Sequence, residues 1–565
     1  MKLSYAHLIV VLCATGSAFG QLPFVVRGSG DESATISVDG AGNVYVAGEF
    51  EDEIDLGGGP LTSPGSDAIF MAKFDADGNH LWSRALGGST SSGFRSLLMT
   101  VDGAGNIILT RDFTGTLNLG GDDLASPASR NLFIAKYSTN GTHLWSRQYG
   151  GRGSEIPEAV FVDPEGCTHI TGFFGDIGNF GGTDFTAQDT DLFLAKYDGD
   201  GDHIWSFGAG GPADEHPFAL SVDDPGNVFV TGFFGEGSGQ AETNLGGDAI
   251  LSRGSSDIFL AKYSVDGRHI WSEGIGGAAA PTQMGFTLTA EIAFDIAQDA
   301  QELYVAGVFQ DSTDLGGGVI VSRGGNDSDL FVTNYDTSGS FQWAQGVGGT
   351  ADDTGGNLVV ASNGNIFLAG AFREMIEFGN VSFQSLGETD AFISAFTPDG
   401  ANLWAKRIGG SGSDFGGQVA YRTNEIYIGV NFTNDIEVDG QLLTGIGGRD
   451  LMVAKLSADG QLITTIDEAP EQPGTFLLRQ NYPNPFNPET TIVFELSEQS
   501  EVRIEIFNGI GQMVRTLLRG REKAGEHRVV WDGRADDGTA LATGAYFYKI
   551  SVNRFVQTKA MLLLR

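Results

Sequence analysis

The chain has 565 residues, 84 of them glycine, and its 33 Lys and Arg against 72 Asp and Glu give a formal net charge of −39. Glycine inside a helix costs roughly 1 kcal/mol relative to alanine, so this composition argues against long helices. A surface this acidic repels nucleic acids and anionic lipids, which excludes both as partners.

Residues 1–20 have the pattern of a secretory signal peptide. Lys2 supplies the positive start, an apolar run follows from His7 to Ala14, and Ala18 and Gly20 are the small residues before a cleavage site at Gln21. The apolar run is too short to span a bilayer as a permanent helix, and no later segment is apolar enough to do so. The sequence therefore predicts an exported chain without a transmembrane segment.

Residues 21–466 consist of repeats of 60–72 residues, each built from two phrases that both occur seven times. The first phrase runs from Ile36 to Gly48, and its segment from Asn43 to Ala47 alternates and is rich in β-branched and aromatic residues, as strands are. The second runs from Asp67 to Trp82, is apolar on both faces, and returns at Asn131, Asp191, Asp257, Asp329, Asp390 and Asp450. A tryptophan closes six copies, at Trp82, Trp145, Trp205, Trp271, Trp343 and Trp404.

Each repeat has room for about four strands, and a sheet covered on both faces is typical of a β-propeller blade. Seven copies lie within the usual range of roughly 4–8 blades, so the sequence predicts an all-β, seven-bladed β-propeller; an open solenoid is the alternative. The segment from Phe24 to Gly30 is similar to the strand that elsewhere carries the tryptophan. We expect it to pair with the seventh repeat, which has Leu462 in place of tryptophan, and to close the ring.

The phrases G-N-V-Y-V-x-G and D-x-F-x-A-K-Y resemble bacterial propeller repeats of the SBBP kind, across about residues 24–466. More distantly, D-x-x-G-x-x-x-W resembles the tryptophan-docking turn of quinoprotein propellers. These resemblances imply a scaffold and no single activity.

Residues 467–475 form a polar, proline-containing linker, and residues 476–565 alternate as the short strands of a small β-sandwich. The phrase from Leu478 to Phe494 resembles the opening of the type A sorting domain of type IX secretion substrates. Its motif residues are Asn481, Tyr482, Pro483, Asn484, Pro485, Phe486, Asn487 and Pro488. Four later phrases match as well, at 506–515, 531–538, 543–549 and 559–565.

The sorting-domain resemblance implies an immunoglobulin-like sandwich that the type IX secretion machinery reads. It implies passage through the periplasm, and then secretion or anchoring on the outer cell surface. Whether the domain is cleaved on export stays open.

The polar residues that recur along the repeats are interpreted as structural. Acidic turns at Asp75 and Asp198 resemble calcium loops, but they lack the distal Glu, so a hairpin turn is favoured over incidental Ca²⁺ binding and no cofactor is predicted. Four histidines recur at one position, as His80, His143, His203 and His269. Equivalent atoms of stacked sheets lie on the order of 10 Å apart, so these histidines cannot share a metal ion.

Two further series have alternative interpretations. The tryptophans fill gaps between blades or, alternatively, stack on sugars. A lysine recurs as Lys73, Lys136, Lys196, Lys262 and Lys455, interrupted by Asn334 and Ala395, and it is interpreted as paired with Asp or as a basic line in the channel. Because no motif for a nucleophile, a catalytic metal or a phosphate loop is present, no catalytic residue is predicted.

The sequence therefore predicts an exported, non-catalytic binding or structural protein, monomeric, whose extracellular ligand is a glycan or a protein. The alternative is a secreted propeller enzyme that acts on glycans or uses a quinone cofactor. A spacer with no ligand of its own is a third interpretation.

Overall fold

The computed structural model describes residues 24–27, 34–463, 476–478 and 481–564, with internal gaps at 51, 66–67, 89–96, 236–240, 255, 278–290, 300, 326, 423, 446–448, 482, 485, 497–498, 509–512, 537 and 553–554. The predicted signal peptide and linker lie outside these residues. All regular structure in the described part is β, and no helix there is long and apolar enough to cross a membrane. The chain divides into two compact units, Met1–Thr465 and Ile466–Arg565.

The first unit begins with strand β1 (Phe24–Arg27), and seven repeats follow. The first four repeats contain strands β2 (Thr35–Val38), β3 (Val44–Phe50), β4 (Glu53–Asp55), β5 (Pro60–Thr62), β6 (Ala68–Phe74) and β7 (His80–Gly88); β8 (Leu98–Val101), β9 (Ile107–Asn118), β10 (Leu124–Tyr137) and β11 (His143–Tyr149); β12 (Glu155–Val162), β13 (Thr168–Gly178), β14 (Phe185–Tyr197) and β15 (His203–Ala209); β16 (Glu215–Val222), β17 (Val228–Phe234), β18 (Glu242–Thr243), β19 (Ile250–Leu251), β20 (Asp257–Tyr263) and β21 (His269–Ile275).

The last three repeats contain strands β22 (Ile292–Asp299), β23 (Glu302–Gln310), β24 (Ser312–Asp314), β25 (Val319–Val321), β26 (Ser328–Asp336) and β27 (Phe341–Gly349); β28 (Asp353–Val360), β29 (Ile366–Phe372), β30 (Met375–Phe378), β31 (Val381–Gln384), β32 (Asp390–Phe396) and β33 (Asn402–Ile408); β34 (Phe415–Arg422), β35 (Glu425–Phe432), β36 (Asp435–Val438), β37 (Gln441–Thr444) and β38 (Asp450–Ser457).

Each of repeats 1 to 6 contributes four long antiparallel strands that are hydrogen-bonded in sequence order, as in β12-β13-β14-β15 and β28-β29-β32-β33. A short pairing of β7 with β9 joins repeats 1 and 2 in one sheet, and β27 of repeat 5 pairs with β30 of repeat 6. Among its described residues the seventh repeat supplies three long strands, β34, β35 and β38, and β1 from the N-terminus completes its sheet. The register pairs Val25 with Met452. The expected pairing of the N-terminal segment with the last repeat is therefore present.

The sheets pack on one another through apolar faces. Tyr45 and Met71 of the first repeat share a core with Leu109 and Phe133 of the second. Val46 of the first repeat shares another core with Leu451 and Val453 of the seventh. The first strand of each sheet contacts the first strand of the next, in the order β2, β8, β12, β16, β22, β28 and β34, and β34 contacts β2. This arrangement explains why both faces of the repeated strands are apolar.

The second unit contains two antiparallel sheets, of which the first is β39-β40-β43 and the second β42-β41-β44-β45. Their inner faces share one core that includes Phe494, Ile504, Trp531 and Tyr548. The strands are β39 (Phe476–Leu478), β40 (Thr490–Leu496), β41 (Ser500–Asn508), β42 (Met513–Glu522), β43 (Gly525–Trp531), β44 (Gly544–Val552) and β45 (Phe555–Leu563).

Candidate functional site

The six repeated tryptophans lie at the junctions between neighbouring repeats. Each indole Nε1 donates a hydrogen bond of 2.9–3.3 Å to a backbone carbonyl in the turn after the third long strand of the following repeat. A glycine in that turn, such as Gly267 below Trp205, has positive φ and leaves no room for a Cβ. The donor–acceptor pairs are Trp82–Thr139, Trp145–Gly199, Trp205–Val265, Trp271–Thr337, Trp343–Pro398 and Trp404–Ala458.

Buried lysine–aspartate pairs lie beside the first turn of repeats 1 to 4. Lys196 Nζ is 3.0 Å from Asp163 Oδ2, and His169 Nε2 is 2.9 Å from the same oxygen. Burial opposes ionisation of Asp163, but hydrogen bonds from His169 and Lys196 outweigh it and hold the pKa of Asp163 well below its usual range. The equivalent pairs are Lys73–Asp39, Lys136–Asp102 and Lys262–Asp223. The lysines of these repeats are therefore paired with Asp.

Repeats 5 to 7 depart from this pattern. Asn334 and Ala395 replace the lysine in repeats 5 and 6, while Ala361 and Arg422 replace the aspartate in repeats 6 and 7. Lys455 of repeat 7 pairs with Glu425 instead, at 3.0 Å. The first turn is also one residue shorter in two of these repeats: residues 299–302 and 422–425 stand where repeat 1 has 39–43.

An open cavity of about 580 Å³ lies where the pattern is broken. It is formed at the C-terminal ends of β22, β28 and β34, which are consecutive first strands. Its lining residues are Gln298, Asp299, Val360, Ala361, Ser362, Tyr421, Arg422 and Asn424. Ligand pockets in proteins commonly have volumes of ~300–1,000 Å³, so the cavity has the size of a small-molecule site.

The lining side chains are held in place by local contacts. The ring of Tyr421 stacks on Phe367 at a centroid distance of 5.6 Å, and its hydroxyl donates to Asn424 Oδ1 at 2.7 Å. Gln298 Nε2 donates to the carbonyl of Val222 at 3.0 Å. Arg422 is exposed and Asp299 half-buried, and neither forms a salt bridge with any other side chain in the described part of the chain.

A second set of ionisable groups lies between the sheets. The chain that links two repeats carries Gly-Gly, and the second glycine donates its amide to an acid that opens or precedes the next first strand. These acids are at most 2% exposed. The pairs are Gly151–Glu155, Gly211–Glu215, Gly277–Glu291, Gly349–Asp353 and Gly410–Asp414.

Burial raises the pKa of each of these acids, to about 8 for Glu215 and about 9 for Asp353. The nearby carboxyls of Asp191 and Asp329 raise these two values further. Both Glu215 Oε2 and Asp191 Oδ1 lie on the same side of Gly210, within 3 Å of the point where its Cβ would be. These pairs are not among the residues predicted from the sequence, although Gly-Gly followed by an acid four residues after its second glycine recurs at residues 151, 211, 349 and 410.

The repeated histidines pack on neighbouring aromatic rings, and the acidic turns form local hydrogen bonds. His203 packs edge-on against Tyr197, and the other three histidines pack in the same way on Phe74, Tyr137 and Tyr263. Asp75 accepts the backbone amides of Asp77 and Asn79, as a residue that closes a hairpin turn does. Within the described residues no group of three or more His, Cys, Asp or Glu could hold a metal ion.

The predicted sorting motif divides into buried and exposed residues. Asn481 is 2% exposed, its backbone amide donates to the Tyr548 hydroxyl at 2.9 Å, and its side chain donates to Thr490 Oγ1 at 2.8 Å. Phe486 packs on Trp531 at 5.5 Å. The exposed members are Pro483, Asn484, Asn487 and Pro488, whereas Tyr482 and Pro485 lie outside the described residues.

Comparison with known proteins gives one family for the C-terminal unit. Residues 483–554 match the FlgD Ig-like domain. The C-terminal unit is therefore Ig-like, in agreement with its two packed sheets.

The repeats have distant relatives. The chain is 23% identical over 459 residues to a WD repeat-containing protein of Acanthamoeba polyphaga mimivirus, covering 67% of this chain and 32% of the relative. It is 25% identical over 192 residues to the regulatory protein FlaEY of Caulobacter vibrioides, covering 33% of this chain and 19% of the relative. The chain thus spans a third or less of these relatives' own length. Among solved structures, PorZ of Porphyromonas gingivalis is 14% identical, with a TM-score of 0.33, 95% of this chain covered and 74% of PorZ. Sequence and structure together therefore define an all-β chain that ends in an Ig-like domain.

Proposed function

We propose that this chain is an exported, non-catalytic binding protein of the cell surface or the surrounding medium. In this proposal its seven sheets form a closed seven-bladed β-propeller that presents a ligand site. The Ig-like domain is the sorting domain by which the type IX secretion machinery recognises the chain after it reaches the periplasm.

The closed propeller is supported mainly by the pairing of β1 with β38, which unites the two ends of the repeat array in one sheet. The sequence of contacts between first strands, which returns from β34 to β2, supports it as well. The distant match to a WD repeat-containing protein agrees with this proposal, since WD repeats form propellers.

A binding role is favoured over catalysis by the placement of the unusual ionisable groups. The carboxyls whose pKa values are raised most, such as Asp353 and Glu215, lie between sheets and are at most 1% exposed. A general acid or base must come within hydrogen-bonding distance of a substrate, which these groups cannot do. Five of the cavity-lining side chains are exposed or half-buried and can form hydrogen bonds: Asp299, Ser362, Tyr421, Arg422 and Asn424.

The sorting role rests on the five matched phrases and on the Ig-like match over residues 483–554. Deleting residues 476–565 should leave the repeat unit folded but retained in the periplasm, because the two units are separately compact. Cell fractionation with immunoblotting tests this, with the full-length chain and a periplasmic marker as controls. Protease resistance of the retained material would verify that the repeats are folded. Normal appearance of the truncated chain on the surface or in the medium would overturn the sorting role.

A further inference from the structure

The cavity at the ends of β22, β28 and β34 lies where the repeat loses its regular structural pair. In each of repeats 1 to 4 the aspartate at the equivalent position pairs with a lysine, as Asp223 pairs with Lys262. In repeat 5 the equivalent Asp299 has lost that lysine, because Asn334 takes its place. In repeat 7 the acid itself is replaced by Arg422. A carboxylate and a guanidinium are thereby freed from structural pairing, and both line the same cavity.

The lining offers a complete set of hydrogen-bonding groups. Asp299 only accepts and Arg422 only donates, while Gln298, Ser362, Tyr421 and Asn424 contain groups that can do either. A hydroxyl group both donates and accepts, so a ligand with several hydroxyls can satisfy all of these side chains. A zwitterion would engage chiefly the two charged ones.

The charges of the site favour a neutral ligand. One carboxylate and one guanidinium balance each other, and the chain as a whole carries −39 and repels anions. A divalent cation would find a single carboxylate in the lining, together with the repulsion of Arg422. Tyr421 adds a half-buried aromatic ring, fixed by Phe367 and Asn424, which suits the C–H face of a sugar ring.

We propose that this cavity binds a neutral saccharide of one or two pyranose rings. Asp299 accepts from its hydroxyls, Arg422 and Ser362 donate to them, and the ring of Tyr421 packs against the sugar. This proposal rests on the proposed role of the repeats as a binding scaffold, and it adds a location and a ligand class to that role.

Isothermal titration calorimetry on the full-length protein tests the proposal. The probes are glucose, galactose, mannose, N-acetylglucosamine and the disaccharide cellobiose, with glycine as a zwitterion and glucuronate as an anion. Arg422→Ala and Asp299→Asn are the test variants, since neither side chain has a structural salt bridge among the described residues. Arg268→Ala is the matched control, because that arginine is exposed and its salt-bridge partner among the described residues is the exposed Asp266.

We expect saturable binding of at least one neutral saccharide, weakened roughly tenfold by Arg422→Ala and by Asp299→Asn and unchanged by Arg268→Ala. Thermal denaturation of each variant verifies folding. Binding of glycine or glucuronate in place of the neutral sugars would overturn the ligand class. Saccharide binding that both variants leave unchanged would overturn the location, and absence of all binding would overturn the proposal. None of these outcomes depends on the export experiment, so the two proposals can fail separately.

Discussion

The indole Nε1 of Trp205 donates a hydrogen bond of 3.0 Å to the carbonyl oxygen of Val265, which lies in the turn of the next repeat. The ring also lies against Gly267, which has a φ of +78°, so an added Cβ there would be 2.9 Å from the indole. This contact joins two sheets that share no long strand pairing. Together with its five equivalents, this contact links neighbouring repeats through a tryptophan.

Loss of the Trp205 contact should destabilise the repeat unit. Trp205→Ala removes both the ring and the hydrogen bond, and because the ring is half-buried we expect a loss of about 2–3 kcal/mol in the free energy of unfolding. Gly267→Ala should cost more than about 1 kcal/mol, through the positive φ and the contact with the indole. Gly103→Ala is the control, because nothing lies within 4 Å of its added Cβ. Urea denaturation measures all three, and equal stabilities for Gly267→Ala and Gly103→Ala would contradict the contact.

Breaking the buried pair of repeat 3 should be more costly than removing an exposed charge. Lys196→Met leaves the carboxylate of Asp163, which is 3% exposed, with the His169 ring as its remaining side-chain hydrogen-bond partner. Removing one member of a buried pair typically costs ~3–5 kcal/mol, and His169 should reduce that to about 2–3 kcal/mol. The control is Arg268→Met, at an exposed salt bridge. A stability equal to that of the control would show that the pair contributes nothing.

The buried acids between repeats make stability depend on pH. The pKa of Asp353 is about 9 in the folded chain, against roughly 3.9 for an unperturbed Asp, so the folded state binds the proton more tightly. The resulting stabilisation is fully present below the unfolded pKa and is lost as the pH rises toward 9. The melting temperature should therefore fall between pH 5 and pH 9.

Asp353→Asn tests the source of that dependence. The amide keeps an acceptor for the Gly349 amide and carries no charge, so the fall in melting temperature should become shallower. Asp224→Asn, at an exposed position, should leave the slope unchanged. A melting temperature that rises from pH 5 to pH 9 in the parent protein would contradict the inference that protonation of the buried acids stabilises the folded state.

The exposed and buried halves of the sorting motif should separate export from folding. The double variant Pro483→Ala, Asn484→Ala changes exposed side chains, so the Ig-like domain should keep its melting temperature while secretion falls severalfold. Asn481→Ala removes a buried side chain that bonds Thr490, and it should lower the domain's stability by about 1–3 kcal/mol. Fractionation and calorimetry measure the two effects. Normal secretion of the folded double variant would show that the exposed residues are not read.

The repeat pattern predicts much of this fold, because its signals recur. Trp205 and Gly267 are found by comparing copies, and the strand at Phe24 is found by its similarity to the strand that carries the tryptophan. The Ig-like domain follows from its own phrases. Such features are local in the sequence, and they recur from repeat to repeat.

The buried acids and the cavity are harder to predict. Asp353 is one of 72 acidic residues, and only the packing of two sheets distinguishes it from those on the surface. Tyr421 and Arg422 lie more than 120 residues from Gln298, and they share a cavity with it because β28 contacts both of their strands, β22 and β34. Asn334 and Ala395 can be recognised in the sequence as interruptions of the lysine series, but the cavity that accompanies these interruptions cannot.

The closed ring is tested most directly by a disulfide between β1 and β38. Val25 and Met452 are paired in the register, and paired positions of antiparallel strands lie ~4.5–5.5 Å apart at Cα, within the reach of a disulfide. The variant Val25→Cys, Met452→Cys should form an intramolecular bond under mild oxidation, seen by mass spectrometry of the linked peptides and as a monomer on a non-reducing gel. Dimers linked through the introduced cysteines, or introduced thiols that both stay free beside that of Cys167 in the folded protein, would contradict the closure.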